Sequence, residues 1–141
     1  MTTNTINKKT VSFNILSYFK SLVLLMKPRV MSLVIFTCAV GLLTSPDTVP
    51  LLKAMTSIFF VAMGAGAAGT LNMWYEADLD KLMTRTCLRP IPTGKISRKD
   101  ALWFGIILSI VSICGLYYFS NFLSASLLFF TIAFYVFVYT I

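Results

Sequence analysis

Three oxygen-bearing side chains, Asn72, Glu76 and Asp80, recur at i, i+4 and i+8 in the segment Leu71-Asn72-Met73-Trp74-Tyr75-Glu76-Ala77-Asp78-Leu79-Asp80. On a continuous helix they share one face at steps of about 6 Å. Hard oxygen donors so arranged suit Mg²⁺, which keeps several waters and commonly binds through one or two carboxylates plus substrate phosphate oxygens. These three are the candidate metal-ligating and catalytic residues. Asp78 points elsewhere on such a helix, an auxiliary ligand if the helix unwinds, or a partner for Lys81 or Arg85. Five residues past Asp80 begins Arg85-Thr86-Cys87-Leu88-Arg89-Pro90, followed by Ile91-Pro92-Thr93-Gly94-Lys95. Two prolines and a glycine forbid a continuous helix, so this stretch is expected to be a loop that folds back on the acids. Arg85, Arg89 and Lys95 are its candidate diphosphate-binding groups, because arginine presents a planar fork to phosphate oxygens and lysine a point charge.

The elements that position these residues are apolar. Of 141 residues 57% are hydrophobic and only 12% charged, with a mean hydropathy of +0.83, too little polar material for a water-facing surface. The apolar content matches about four spans of ~20 residues, so the expected fold is an all-α integral membrane protein with about four transmembrane helices. Residues 1–29 form a polar N-terminal segment containing an in-plane amphipathic helix, with Phe13, Leu16, Phe19 and Val23 towards lipid. Asn14 and Lys20 interrupt its apolar run, which argues against a cleavable signal. The transmembrane domain is expected over 30–141, with spans at about 30–43, 51–73, 101–119 and 123–141 and a polar motif loop at 74–100. Ser97 and Asp100 stand in a Ser-x-x-Asp arrangement suited to capping the third span. Small residues Gly64 and Ala68, and Ala65 and Gly69, form i, i+4 pairs on the second span. They permit either close helix packing or room for a long apolar ligand.

The sequence has no histidine, which excludes a histidine general base, a Ser-His-Asp triad, a histidine zinc site and an axial haem histidine within these residues. Cys38, Cys87 and Cys114 are isolated and suggest neither a disulfide framework nor a metal site. Eleven of the twelve basic residues flank the first span or lie between the second and third, and only Lys53 falls on the other side. Positive charge is retained on the cytoplasmic side, so the N-terminus and the 74–100 loop are expected there, or on the matrix side of an organelle. Orientation and anionic headgroups account for most of the net +7 without nucleic acid. They do not account for four of the five acids falling in the same loop, because like charges at i, i+4 repel unless a cation sits between them. A non-enzymatic membrane protein, such as an assembly factor or channel subunit, would not require carboxylates and arginines in this order.

The pattern Asn72-x-x-x-Glu76-x-x-x-Asp80 followed by Arg85-Thr86-x-x-Arg89-Pro90 resembles the first aspartate-rich motif of the UbiA-type intramembrane prenyltransferases. Glu76 stands where that superfamily usually has aspartate, keeping the charge on a longer arm. Lys27-Pro28-Arg29-Val30 and the wording around Asn72 are most similar to the haem-farnesylating branch. The resemblance implies the front part of a nine-helix bundle. Its implied activity is transfer of a farnesyl group from farnesyl diphosphate to a vinyl group of haem B, giving haem O, with Mg²⁺ on Asn72, Glu76 and Asp80. Prenyl transfer to an aromatic quinone precursor is the alternative within the superfamily. The resemblance also implies a second aspartate-rich motif, which these residues do not contain, so either they are the front half of a split, truncated or degraded gene or a second chain supplies the rest, and activity of these residues alone is not expected. The bacterial inner membrane is the implied location, ahead of the mitochondrial one.

Overall fold

The computed structural model describes residues 15–46 and 48–140, so Phe13 of the expected amphipathic helix lies outside the described residues. Six α-helices follow in order: α1 Ile15–Leu25, α2 Pro28–Leu43, α3 Leu51–Tyr75, α4 Ala77–Leu82, α5 Arg98–Phe119 and α6 Phe122–Phe134, the last running into a π-helical turn, Tyr135–Thr140. No strand occurs among the described residues.

Local chemistry explains the boundaries. Pro28 opens α2, where its missing N–H is not needed and its fixed φ suits the helix. Lys27 before it has φ 52°, the one non-glycine residue in the left-handed region among the described residues, and α1 and α2 bend there by 56°. Ser97 Oγ accepts from the backbone N–H of Asp100 at 3.1 Å, the expected cap, so α5 starts at Arg98. Asn121 Oδ1 accepts from Ser124 N–H at 2.8 Å and caps α6 in the same way.

The helices differ in how far they reach against the expected spans. The 25 residues of α3 and 22 of α5 reach about 37 and 33 Å, enough for a ~30 Å hydrocarbon core. The 16 residues of α2 reach only about 24 Å, and α2 has the length of a span only when joined to α1 across the bend. The expected fourth span is a shorter apolar run, Phe122–Val138, whose regular α-helix gives way at Tyr135. The expected loop 74–100 is also shorter. Helical hydrogen bonds continue from Glu76 N–H to Asn72 C=O at 3.0 Å and from Asp80 N–H to Glu76 C=O at 2.8 Å, so apart from the break at Glu76 the residues free of helix are 83–97.

The largest helix interface joins α3 to α5, with α2 and α6 flanking. Two apolar clusters result. One gathers Leu25, Met73, Ala77, Ile91, Ile96 and Ala101 and ties α1, α3, α4, the loop and α5 together beneath the polar segment. The other sets Ala68 against Leu116, Leu128 and Ile132 at mid-bundle. Serine and threonine hydroxyls inside the bundle, including buried Thr70, Ser109 and Ser112, donate to carbonyls three or four residues back and so need no water. Leu16, Phe19 and Val23 of α1 face outward, while Ser21 and Leu25 seat its other side.

Gly115 sets the α3–α5 approach, since a Cβ there would lie 2.2 Å from the ring of Phe60, itself stacked on Phe119. Gly115→Val is expected to cost about 1–3 kcal/mol by overpacking. Gly41→Ala, with nothing within 4 Å of the new methyl, is expected to be neutral or stabilising by under ~1 kcal/mol. Unfolding in detergent followed by circular dichroism measures both.

Candidate functional site

Asn72, Glu76 and Asp80 fall on the face of α3 and α4 that closes on the loop. Asn72 and Asp80 are 1% and 3% exposed, so both side chains must be satisfied internally. Arg89 Nη1 donates to both Asp80 carboxylate oxygens at 2.8 Å and stands 3.8 Å from Glu76 Oε2. Thr86 Oγ1 donates to the Asp80 carbonyl at 3.2 Å. The loop thus docks on Asp80 twice, once on its backbone and once on its carboxylate. Backbone turns hold it in that shape: Arg89 N–H bonds Thr86 C=O, and the N–H groups of Lys95 and Ile96 both bond Pro90 C=O.

Lys27, from the elbow between α1 and α2, donates through Nζ to Asn72 Oδ1. Burial and the Arg89 charge hold the Lys27 ammonium below the ordinary lysine pKa, against the opposing pull of Glu76 and Asp80. Two cations and two carboxylates therefore share one half-buried site. Sequence reasoning did not assign Lys27 to it. The available signal was a lysine at a proline-marked helix entry, and only the bend at residue 27 carries it across to a residue 45 positions away.

The remaining candidates lie apart. Arg85 and Lys95 are exposed and, among the described residues, form no ion pair with the acids. Asp78 projects from the opposite side of α4, where Arg98 Nη1 lies 2.7 Å from Oδ2 and Lys81 Nζ 3.5 Å from Oδ1. The Arg98 hydrogen bond and charge hold its carboxyl below the usual aspartate pKa.

Below Lys27 the helices line a half-open apolar pocket of about 420 Å³, within the ~300–1,000 Å³ range of ligand pockets. On α2 it is lined at every fourth residue, by Val30, Val34, Cys38 and Leu42, and on α3 by Ser57, Val61, Gly64, Ala65, Ala68 and Gly69. The α3 residues share a helix face with Asn72 and Glu76. The two readings of the small residues thus divide the stripe between them. Gly66 and Gly69 admit Met26 of the elbow, and a Cβ at Gly64 would meet Leu128 at 2.7 Å. Ala65 and Ala68 leave the cavity open.

Among the described residues no group of three His, Cys, Asp or Glu is placed to hold a metal ion. The donors at this site are two carboxylates and one amide. They do not suit an all-protein cage, but they suit an ion that completes its shell with water and phosphate oxygens.

The family described as the UbiA prenyltransferase family matches residues 33–141. Protoheme IX farnesyltransferase of Pelagibacter ubique (strain HTCC1062) is 67% identical over 123 residues, covering 87% of this chain and 41% of that protein. Protoheme IX farnesyltransferase 2 of Mesorhizobium japonicum is 55% identical over 116 residues, covering 82% and 37%. Protoheme IX farnesyltransferase of Rhodopseudomonas palustris (strain BisB18) is 56% identical over 117 residues, covering 83% and 37%. The chain spans about two fifths of the length of these curated relatives. No solved structure matches it.

Removing the Arg89 fork strands a buried carboxylate, so Arg89→Gln is expected to destabilise the loop locally by about 1–3 kcal/mol. Arg85→Gln, which removes no ion pair, is expected to stay within ~0.5 kcal/mol. Limited proteolysis within residues 83–97 reads both.

Proposed function

Because this chain belongs to the UbiA prenyltransferase family, we propose that its residues form the diphosphate-binding half of a membrane enzyme that farnesylates protohaem IX. The donor is farnesyl diphosphate, the acceptor a vinyl group of haem B and the product haem O. The observation that carries this reading is the single stripe on α3 that passes from the cavity lining through Ala65 and Ala68 to Asn72 and Glu76. It supports the reading because a pocket suited to a long apolar chain lies next to side chains suited to a diphosphate. The names of the similar proteins support the choice of acceptor.

In this reading Asn72, Glu76 and Asp80 hold Mg²⁺, which would supply charge neutralisation to the diphosphate oxygens. Lys27 and Arg89 turn from their present partners towards the same oxygens, and Arg85 and Lys95 approach from the loop rim. The C–O bond of farnesyl diphosphate breaks with its electron pair leaving on the diphosphate, and these cations stabilise that charge where it develops. A C–C bond then forms from farnesyl C1 to the vinyl group. Water adds the hydroxyl and a proton is released, giving the hydroxyethylfarnesyl substituent. The apolar lining of the pocket disfavours water beside the allylic cation until then. The rest of the bundle, which the relatives carry beyond the matched length, is supplied in the same chain or by a second one. The protein lies in the cytoplasmic membrane with its N-terminus and the 83–97 loop on the cytoplasmic side, as the distribution of lysine and arginine favours.

The test is conversion of haem B to haem O by the assembled enzyme in membranes given farnesyl diphosphate and Mg²⁺. Chelation by EDTA is expected to abolish it, and Asp80→Asn to lower kcat about 10²- to 10³-fold. Lys27→Gln is expected to raise the KM for farnesyl diphosphate. Ala65→Phe, which fills the cavity, is expected to block turnover while leaving Mn²⁺ uptake intact. Product from 4-hydroxybenzoate but none from haem B would defeat the choice of acceptor.

A further inference from the structure

α4 is a six-residue helix that carries Asp80 beyond the end of α3, and it is gripped from two sides. On its inner side stands Arg89, bonded to the buried Asp80. On its outer side stands Arg98, the first residue of α5, 2.7 Å from Asp78 Oδ2 and with its guanidinium 5.6 Å from the centre of the Trp74 ring. Trp74 belongs to the last turn of α3 and packs on the cluster of Leu25, Met73, Ala77, Ile91, Ile96 and Ala101. Arg98 thereby touches the end of α3, α4 and its own helix at once. Residues 78 and 80 lie about 200° apart around a helix, so a pull on Asp78 fixes the rotation that presents Asp80 inward.

We propose that Arg98, Asp78 and Trp74 form a latch outside the site that positions α4, making Arg98 and Asp78 positioning residues for Asp80 rather than Asp78 an auxiliary metal ligand. Three observations favour this over an incidental surface pair. The guanidinium is bonded and stacked at the same time, which restricts it more than an exposed ion pair alone. Asp78 faces away from Asn72, Glu76 and Arg89, so it has no access to what those residues hold. Finally, α4 departs from α3 at Glu76, whose ψ of 2° is not helical, so the hydrogen bonds that cross Glu76 leave the orientation of these six residues to be set by what packs on them. Ser97, whose hydroxyl caps α5, fixes the start of the helix from which Arg98 reaches.

The inference uses the proposed metal role only in its last readout. Asp78→Asn, Arg98→Gln, Arg98→Lys and the double variant are made in the full chain in detergent micelles. Amide exchange over 77–82 is expected to quicken about two- to fivefold in each neutral variant, with no further gain in the double, because the two residues act as one unit. Carbodiimide labelling of Asp80, located by mass spectrometry, is expected to rise by a similar factor and to fall back in Arg98→Lys. Unchanged exchange in α4, or additive effects in the double variant, overturns the latch. Faster exchange with unchanged Asp80 labelling overturns the positioning role. Mn²⁺ affinity by electron paramagnetic resonance is expected to weaken severalfold in the neutral variants. A wild-type chain that takes up no Mn²⁺ overturns the metal reading alone, because the exchange and labelling experiments need no metal.

Discussion

A carboxylate at 3% exposure, at the end of a membrane-length helix, has to be neutralised by something within reach, and the polar end of this structure is organised around meeting that need for Asp80. Arg89 supplies the charge, but it sits nine residues on, beyond the end of α4. The intervening chain must therefore turn back, and its turns, the buried Thr86 on the Asp80 carbonyl and the Pro90 carbonyl that accepts two N–H groups are how it does so. Ile91 and Ile96, carried back by the same turn, fill the cluster on which Trp74 and α1 rest. The ion pair and the apolar cluster are two sides of one docking event.

The same constraint places the cations. Lys27 reaches Asn72 because α1 and α2 bend at it, and the bend requires that Gly66 and Gly69 leave room for Met26. A methyl group on Gly69 would come within 3.3 Å of the Met26 carbonyl, which is backbone and does not readily move. Small residues on α3 thus act at a distance on the polar site: they admit the elbow that delivers Lys27. Beside them in the sequence, Ala65 and Ala68 line the apolar pocket instead.

Much of this was legible from residue types. The i, i+4, i+8 recurrence of Asn72, Glu76 and Asp80 marked one helix face, and the hydrogen bonds through Glu76 carry that face onward. Ser97 announced the start of α5, and Pro90, Pro92 and Gly94 announced a loop. Three features were not legible. The partner of Asp80 among Arg85, Arg89 and Lys95 depends on how the loop turns, and the three cations look alike as residue types. Asp78 was legible as lying off the shared face, with Lys81 among its expected partners, but its closer partner Arg98, twenty residues on, was not. The lengths of α2 and α6 depended on a bend at Lys27 and a π-helical turn at Tyr135, neither of which interrupts the apolar composition.

By itself the sequence determined an all-helical membrane chain and the end of the bundle at which its carboxylates and cations gather, because hydropathy, helical period and charge placement are local properties. Only the tertiary structure decided which cation neutralises which acid, that Lys27 belongs to the site and that the small residues of α3 serve packing at Gly66 and Gly69 and leave space at Ala65 and Ala68. Those outcomes rest on contacts between residues far apart in the chain, such as Lys27 with Asn72 and Gly66 with Met26, and such contacts exist only once the helices have packed.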